Sequence, residues 1–498
     1  MSFQSFEFAA FLLLALLAYY AAPAKLRIWV LLLENAAFFM WADLRAGIWL
    51  LISIGTTWIT ALALRRMSKK AGNLLLLLCL CVNLGLLVIF KYLPVWDNLI
   101  NAAYGKGLKI VNLDIAGRMG LIAPLGISFY TLQAVGYLLD VASGKYPPEK
   151  NPAKYAVFVS FFPNILSGPI ERGDHFLLQL DRILKMKRRK LWDYDRIVQG
   201  MISILLGFFL KMVIADRVSI LVDYVYGMYQ NSDSFTMLVA ALFYAIQIYC
   251  DFGSYSCIAV GIAQIMGFSL IRNFSQPYFA VGISGFWRRW HISLSSWLRD
   301  YVYIPLGGNR KGILRRYANL LAVFLVSGLW HGGAPTFLVW GLLHGGCQII
   351  EDVYRRVKRR VLKGRELPFV TIRRLLARLC TFLLVSVLWI FFRSDTLEMA
   401  KVCLVNLFTK WQGFAYAEQF IFVMGLEKEQ MLAAAVFICF LFILDVVSEW
   451  KNKEASAWIY ESATGIRWGI CLFMIVSVFV FGIYGPGFDP SGFIYVNF

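Results

Sequence analysis

Runs in which apolar residues follow one another with little polar interruption recur along the whole chain, at about 6–22, 28–42, 47–64, 73–92, 121–141, 196–216, 235–262, 372–392, 431–448 and 464–485. A hydrocarbon core of roughly 30 Å is crossed by about 20 residues at helical rise, so each run predicts a membrane helix. The runs are continuous rather than alternating, which predicts helices and not barrel strands. Positive charge is concentrated between them, in RRMSKK (65–70), RILKMKRRK (182–190), RKGILRR (310–316) and RRVKRR (355–360). Loops of this kind face the cytoplasm and meet anionic lipid. With Lys25 and Arg27 directly after the first run, the N-terminus is expected outside.

Two intervals fit this frame only as partial crossings. Residues 155–172 lie between blocks on the same side and are broken by Pro163, Gly168 and Pro169, so they should dip into the membrane and return. Residues 317–354 also join two cytoplasmic blocks, which predicts two thin helices or a re-entrant hairpin. Fifteen residues from Arg316 to His331 span roughly 22 Å as a helix, which sinks His331 well below the surface beside the break at Gly332, Gly333 and Pro335. In 286–301, FWRRWHISLSSWLRDY, the residues Phe286, Trp287, Trp290, Leu294, Trp297 and Leu298 recur at three and four. They predict one interfacial helix with Arg288, Arg289, Ser295 and Arg299 on its polar side.

Composition agrees: 59% hydrophobic and 16% charged residues place the chain outside the water-soluble class. The net charge of +19 is carried by blocks separated by spans, which argues against nucleic acid as a partner. The first run lacks a preceding basic region and a clear cleavage site, so a retained helix is expected rather than a signal peptide. Nine cysteines offer no CxxC pair or metal spacing, and Cys79, Cys81, Cys380, Cys439 and Cys471, inside apolar runs, read as small buried hydrophobes. One membrane domain over 1–498 is expected, with its chemistry in about 245–350.

Three of the four histidines, His291, His331 and His344, fall within 54 residues. An ionisable group at the depth of His331 is costly and points to function, with a carbonyl-bonded structural imidazole as the alternative. Neutral imidazole is what a general base needs. His291 reads equally as an interfacial anchor, His344 in GLLHGG equally as packing, and His175 as a surface residue. Asp251, in IYCDFGSYS, would orient a base or cap a helix broken at Gly253, with Tyr249, Tyr255 and Ser256 as hydrogen-bond partners. No phosphate-binding loop and no HExxH occur, which leaves nucleotide coupling and zinc proteolysis without support.

FWRRWHISLSSWLRDYVYIPLGGNR followed by SGLWHGGAPTFLVWGLLHG resembles the membrane-bound O-acyltransferases, and among them the bacterial polysaccharide O-acetylation branch typified by alginate acetylation. PLGISFYTLQAVGYLLDV (124–141), FFPNILSGPIER (161–172), DFGSYS (251–256), NFSQPY (273–278), FFRS (391–394) and the final GFIYVNF fall in the expected order. The related teichoic-acid D-alanylation proteins share the two histidine motifs but usually lack the LGGNR tail of 306–310. Cys257 stands where the branch often has an acid, and the order at 253–254 is GS rather than SG.

The resemblance implies an all-α polytopic fold, a ring of about 11–13 membrane helices with re-entrant segments around a thin central funnel. It maps the catalytic histidine to His331, the second to His291, and a further histidine of the acetylation branch to His344. Asp251, Tyr255, Trp287, Arg288, Trp290, Ser327 and Trp330 would line the substrate path, with arginine suited to a phosphate-bearing donor. The implied activity moves an acetyl group from a cytoplasmic thioester, acetyl-CoA or another acyl carrier, to an extracytoplasmic polysaccharide. It needs no tightly bound cofactor or metal and uses a separate serine-type acyltransferase partner outside a bacterial cytoplasmic membrane. D-alanyl transfer to teichoic acid, or transport without acyl chemistry, are the alternatives.

Overall fold

The computed structural model describes residues 3–42, 44–104, 124–362, 369–413 and 424–484. The terminal motif GFIYVNF lies outside the described residues. All regular structure among those described is helical. Among the described residues eight helices are long and apolar enough to cross a membrane: Gly47–Leu64, Lys69–Tyr92, Tyr194–Gly227, Ser234–Met266, Ile313–His331, Val370–Arg393, Lys428–Lys451 and Thr464–Phe481. The protein is thus an all-helical, multi-pass membrane protein. Each of the ten apolar runs falls on a helix, although Phe6–Ala21, Arg27–Ala42 and Ile127–Ala142 have only 16 residues. At 1.5 Å per residue that is roughly 24 Å, less than a full core thickness.

The chain divides into two compact units, one holding the described residues of 1–204 with 258–271, the other those of 205–257 and 272–488. In the first, polar side chains tie helices together. Tyr19 donates to the Met266 carbonyl at 2.6 Å, Arg27 donates to the carbonyls of Ile183 and Met186, and Asn35 Nδ2 donates to Ser160 Oγ at 3.1 Å. The segment expected to dip forms the helix Pro152–Ser160, a single turn Phe162–Ile165 and an extended stretch. Every residue from 157 to 171 is buried, and nine helical residues rise only about 13 Å, too little to cross.

The helix Gly173–Lys185 that follows buries Phe176, Leu180 and Ile183 and turns its charges outward, the pattern of an interfacial element. His175 is half-exposed there, as expected, and its hydrogen bond to Glu171 Oε2 at 2.9 Å raises its pKa above the ordinary value. Glu171 also accepts from the Ile271 N–H, which pins the start of that helix to the 269–271 loop.

In the second unit, the interval 317–354 is a pair of antiparallel helices, Ile313–His331 and Pro335–Leu362, joined at 332–334. Their approach requires glycine. A Cβ on Gly328 would lie 2.4 Å from the Phe337 carbonyl oxygen, and one on Gly341 would lie 2.3 Å from that of Phe324. Backbones this close pack without intervening side chains, the small-residue packing common between membrane helices.

Three expectations are corrected. Cys81, Cys380 and Cys439 are exposed on apolar helices rather than buried, because an apolar span in lipid has no need to turn a thiol inward; Cys79 and Cys471 are buried. The helix Ser234–Met266 runs unbroken through Gly253, so Asp251 caps no break. And 286–301 is not one helix: Ile283–Trp287 and Ile292–Leu298 are separate, with His291 between them in the left-handed region at φ 43°.

Candidate active site

The break at His291 follows from a competing set of hydrogen bonds. The Ile292 N–H donates to the Asn273 carbonyl at 2.9 Å and the Ser275 N–H donates to the Arg289 carbonyl at 3.0 Å. Ser293 Oγ donates to Asn273 Oδ1 at 2.6 Å, while Asn273 Nδ2 donates to Ser256 Oγ at 2.7 Å. The NFSQPY loop therefore takes backbone groups that a continuous helix would use. A left-handed non-glycine residue costs about 1–2 kcal/mol and persists only where its surroundings over-determine it, a condition met most often at functional sites.

The first short helix is anchored at its other end by Glu351, whose Oε2 accepts from the Ser284 N–H at 2.9 Å and whose carboxylate also pairs with Arg355. Gly282, at φ 82°, lets the chain enter, since a Cβ there would lie 2.2 Å from Glu351 Oε1.

These constraints bring the predicted histidines together. His331 is the last residue of its helix, buried, with its ring centroid 6.4 Å from that of His291. Trp330 lies against both, at 4.9 Å from His331 and 5.7 Å from His291. Phe252 packs edge-on against His291 at 4.7 Å. His344 is fully buried, 5.1 Å from Trp340, and Trp340 in turn meets His331 edge to face at 5.2 Å and 89°. The Trp287 indole N–H donates to His344 Nδ1 at 3.2 Å. Trp290 packs between Phe274 at 5.0 Å and Trp389 at 5.1 Å and fixes the turn from behind.

A cleft of ≈ 530 Å³ opens beside this group. Arg288, Arg299, Arg316 and Arg355 line it, with Tyr303 and Tyr317, and inward it reaches Trp287, Phe324 and Ser327. Ser327 is one helical turn before His331. Neither His291 nor His331 is part of the lining; its inner floor is made by Trp287 and Phe324, whose rings meet at 5.2 Å and lie against His344 at 5.2 and 6.3 Å. The lining is predominantly cationic, because its acid, Asp352, is taken up by Arg316 at 3.0 Å, Arg356 at 2.7 Å and the Tyr317 hydroxyl at 2.9 Å.

The arginines that look alike in sequence are put to different uses. Arg289 makes a two-pronged pair with Glu449, at 2.5 and 3.1 Å, and Arg378 reaches the same carboxylate at 3.4 Å. Arg288 is exposed on the cleft and has no ion pair among the described residues.

Asp251 is buried and held by a lysine. It lies next to Phe252 in the helix and pairs with Lys211 Nζ at 2.6 Å. Lys211, on the π-helical turn Phe209–Ala215, also pairs with Asp216 at 2.8 Å. The partners expected for Asp251 are engaged elsewhere: Tyr249 donates to Asp445 at 3.1 Å and Ser256 serves Asn273. Tyr255 is buried one turn after Asp251.

Sequence reasoning missed Lys211, Asn273, Trp340, Trp389 and Phe392. A lone lysine inside the 196–216 run and the i, i+4 spacing of Trp340 and His344 were available signals. Asn273 carried none beyond its place in a quoted motif. No cluster of three metal-ligating side chains occurs among the described residues.

The sequence profile of the membrane-bound O-acyltransferase family matches residues 147–391, which include the three histidines, the cleft lining, Lys211, Asp251 and Trp389; Phe392, Asp445 and Glu449 lie beyond it. A probable alginate O-acetylase of Pseudomonas syringae pv. tomato is 35% identical over 77% of this chain and 70% of its own length. A peptidoglycan O-acetyltransferase of Helicobacter pylori is 33% identical over 77% of this chain and 74% of its own. A teichoic acid D-alanyltransferase of Bacillus subtilis is 30% identical over a smaller share, 44% of this chain and 56% of its own.

Proposed function

Because the chain belongs to the membrane-bound O-acyltransferase family, as a membrane O-acetyltransferase of the alginate type, we propose that it takes an acetyl group from a cytoplasmic thioester and passes it outward for O-acetylation of an extracytoplasmic polysaccharide. The observation that carries this reading is a pair of buried histidine rings 6.4 Å apart beside an arginine-lined cleft. The cleft takes the phosphate-bearing part of acetyl-CoA or of an acyl carrier, with Arg288 supplying an uncommitted guanidinium for charge-assisted bonds to phosphate. The floor opens at Trp287 to admit the thioester. His331 acts as general base: it removes the proton of the attacking hydroxyl, the oxygen bonds to the thioester carbonyl carbon, the C–S bond breaks, and the leaving thiolate takes the proton back from the imidazolium. His291, held by the Asn273 loop, orients the thioester. Exchange of a thioester for an ester is downhill, so no nucleotide is required.

The hydroxyl belongs to a separate extracytoplasmic protein with a serine nucleophile, and the membrane is a bacterial cytoplasmic membrane with the N-terminus of the chain outside. Acetylated polymer formed by this chain alone in reconstituted membranes would overturn the partner.

The reading is tested by donor identity. Purified protein incubated with labelled acetyl-CoA and a hydroxyl acceptor, the serine-bearing partner or glycerol, should consume the thioester, and the same mixture with a D-alanyl carrier in place of acetyl-CoA should not react. Consumption of the D-alanyl donor alone would assign the other branch; no turnover with either, together with solute flux, would assign transport. Arg288→Ala should raise KM for acetyl-CoA by about tenfold or more, since a hydrogen bond to a charged group contributes ~1.5–3 kcal/mol. It should also flatten the dependence of KM on salt. Arg289→Ala should instead lower stability and leave KM unchanged in the fraction that folds, because its partner is Glu449.

A further inference from the structure

Behind the floor of the cleft, three buried nitrogen atoms are left over by the reading above. Trp340 Nε1, Trp389 Nε1 and His344 Nε2 are shielded from solvent and have no hydrogen-bond partner among the described residues. All three side chains are fully buried. Their rings touch one another: Trp340 and Trp389 stack at 5.6 Å and 19°, Trp340 and His344 lie 5.1 Å apart, and His344 and Trp389 lie 6.0 Å apart.

All three nitrogens are donors. An indole nitrogen can do nothing else. For His344 the tautomer follows from its neighbour: Nδ1 accepts the Trp287 N–H, so it carries no proton, and the ring proton is on Nε2. Three N–H groups on mutually touching rings, each buried without an acceptor, carry the full desolvation cost of an unmade hydrogen bond. The arrangement is complete only with an acceptor oxygen among them.

We propose that the Trp340 and Trp389 indole N–H groups and His344 Nε2–H form a receptor for one acceptor oxygen, the carbonyl oxygen of the acyl thioester. This rests on the acyl-transfer reading and adds to it the residues that bind the reacting carbonyl. The site adjoins the base, since Trp340 meets His331 at 5.2 Å. When the hydroxyl oxygen bonds to the carbonyl carbon, the C=O pair of electrons moves onto this oxygen, and donors already fixed around it stabilise the charge without reorganising. Trp287 then has two tasks: it forms the floor of the cleft, and by occupying His344 Nδ1 it turns the third donor inward.

The test uses the purified full chain, acetyl-CoA and the same hydroxyl acceptor. Trp340→Phe and Trp389→Phe keep an aromatic ring and remove one donor each. Each should lower kcat for thioester turnover by about 10²-fold, with KM for acetyl-CoA changed little, because the bond strengthens as charge develops. A packing role is separated by replacing Trp340 with benzothienylalanine, the same bicycle with sulfur in place of N–H. A kcat that stays low in that protein supports the receptor, and recovery to the wild-type value overturns it. If Trp340→Phe does not fold, the benzothienylalanine protein decides alone. Failure here is distinct from failure of the acyl-transfer reading: wild-type protein that turns over acetyl-CoA, with unaffected tryptophan variants, removes the receptor only, whereas wild-type protein that consumes no thioester removes both.

Discussion

Replacing His331 by alanine should lower acyl transfer by about 10²- to 10⁴-fold, the contribution of a positioned general base, while the protein still inserts and elutes as a folded species. The expectation rests on position. His331 terminates its helix where Gly332 leaves it in an extended conformation, and a Cβ on Gly332 would lie 2.3 Å from the Phe337 ring. The imidazole is therefore presented at a backbone break whose geometry the neighbouring helix dictates. Trp330, Trp340 and Phe392 surround it at 4.9, 5.2 and 5.2 Å. The substitution also empties space among these rings, so transfer is to be compared with the heat stability of the same preparation. His331→Gln, closer in volume and without a titratable nitrogen, should be as inactive and more stable. Full acetylation by His331→Ala would remove the base assignment. A His291→Ala protein should lose less, because in the proposed mechanism that ring orients the donor and takes no proton.

The largest effect on stability is expected from Lys211→Met. The ammonium lies 2.8 Å from Asp216 and 2.6 Å from Asp251, and all three side chains are at most 8% exposed. Removing the cation leaves two carboxylates facing each other in a low-dielectric interior. Breaking a buried pair from one side costs about 3–5 kcal/mol, because the remaining charge is neither solvated nor compensated. Here two charges remain, so the upper part of that range applies. Lys211→Met should sharply reduce the folded fraction recovered in detergent after a heat step, measured by size exclusion. Adding Asp216→Asn and Asp251→Asn to the same protein should restore most of it, since replacing a buried ionic group by neutral side chains is far less costly than halving it. A Lys211→Met protein as heat-resistant as wild type would show that the triad carries no net stabilisation. One member of the triad, Asp251, is next to Phe252, which packs on His291, so the triple variant also tests coupling: activity lost with stability restored would link the triad to the site.

Two adjacent arginines illustrate what could and could not be read in advance. Arg288 and Arg289 have the same chemistry and sit one residue apart, yet one faces the cleft and the other is spent on Glu449, 160 residues away. No local pattern separates them, because the choice depends on the broken turn around His291. That turn is made by Asn273, whose bonds to Ser293 and Ser256 join three segments remote in sequence. For the same reason periodicity was misleading over 286–301: the three- and four-residue spacing of its aromatic residues is genuine, but backbone groups at Ile292 and Arg289 are claimed by the loop at 273–275.

Hydropathy is a property of each residue and its near neighbours, which is why the chain alone determined the positions of the apolar helices, the hairpin over 317–354 and the place of His331 at a glycine and proline break. The motif order likewise identified the family and singled out histidines that the fold brings together. Partners are a property of pairs, so only the tertiary structure decided that Asp251 answers to Lys211, that His344 accepts from Trp287, 57 residues away, and that the tryptophans behind the cleft hold uncommitted N–H groups. Burial in a membrane protein raises the cost of every unmatched polar group, but which group satisfies it is settled by close packing between helices that the linear order keeps far apart.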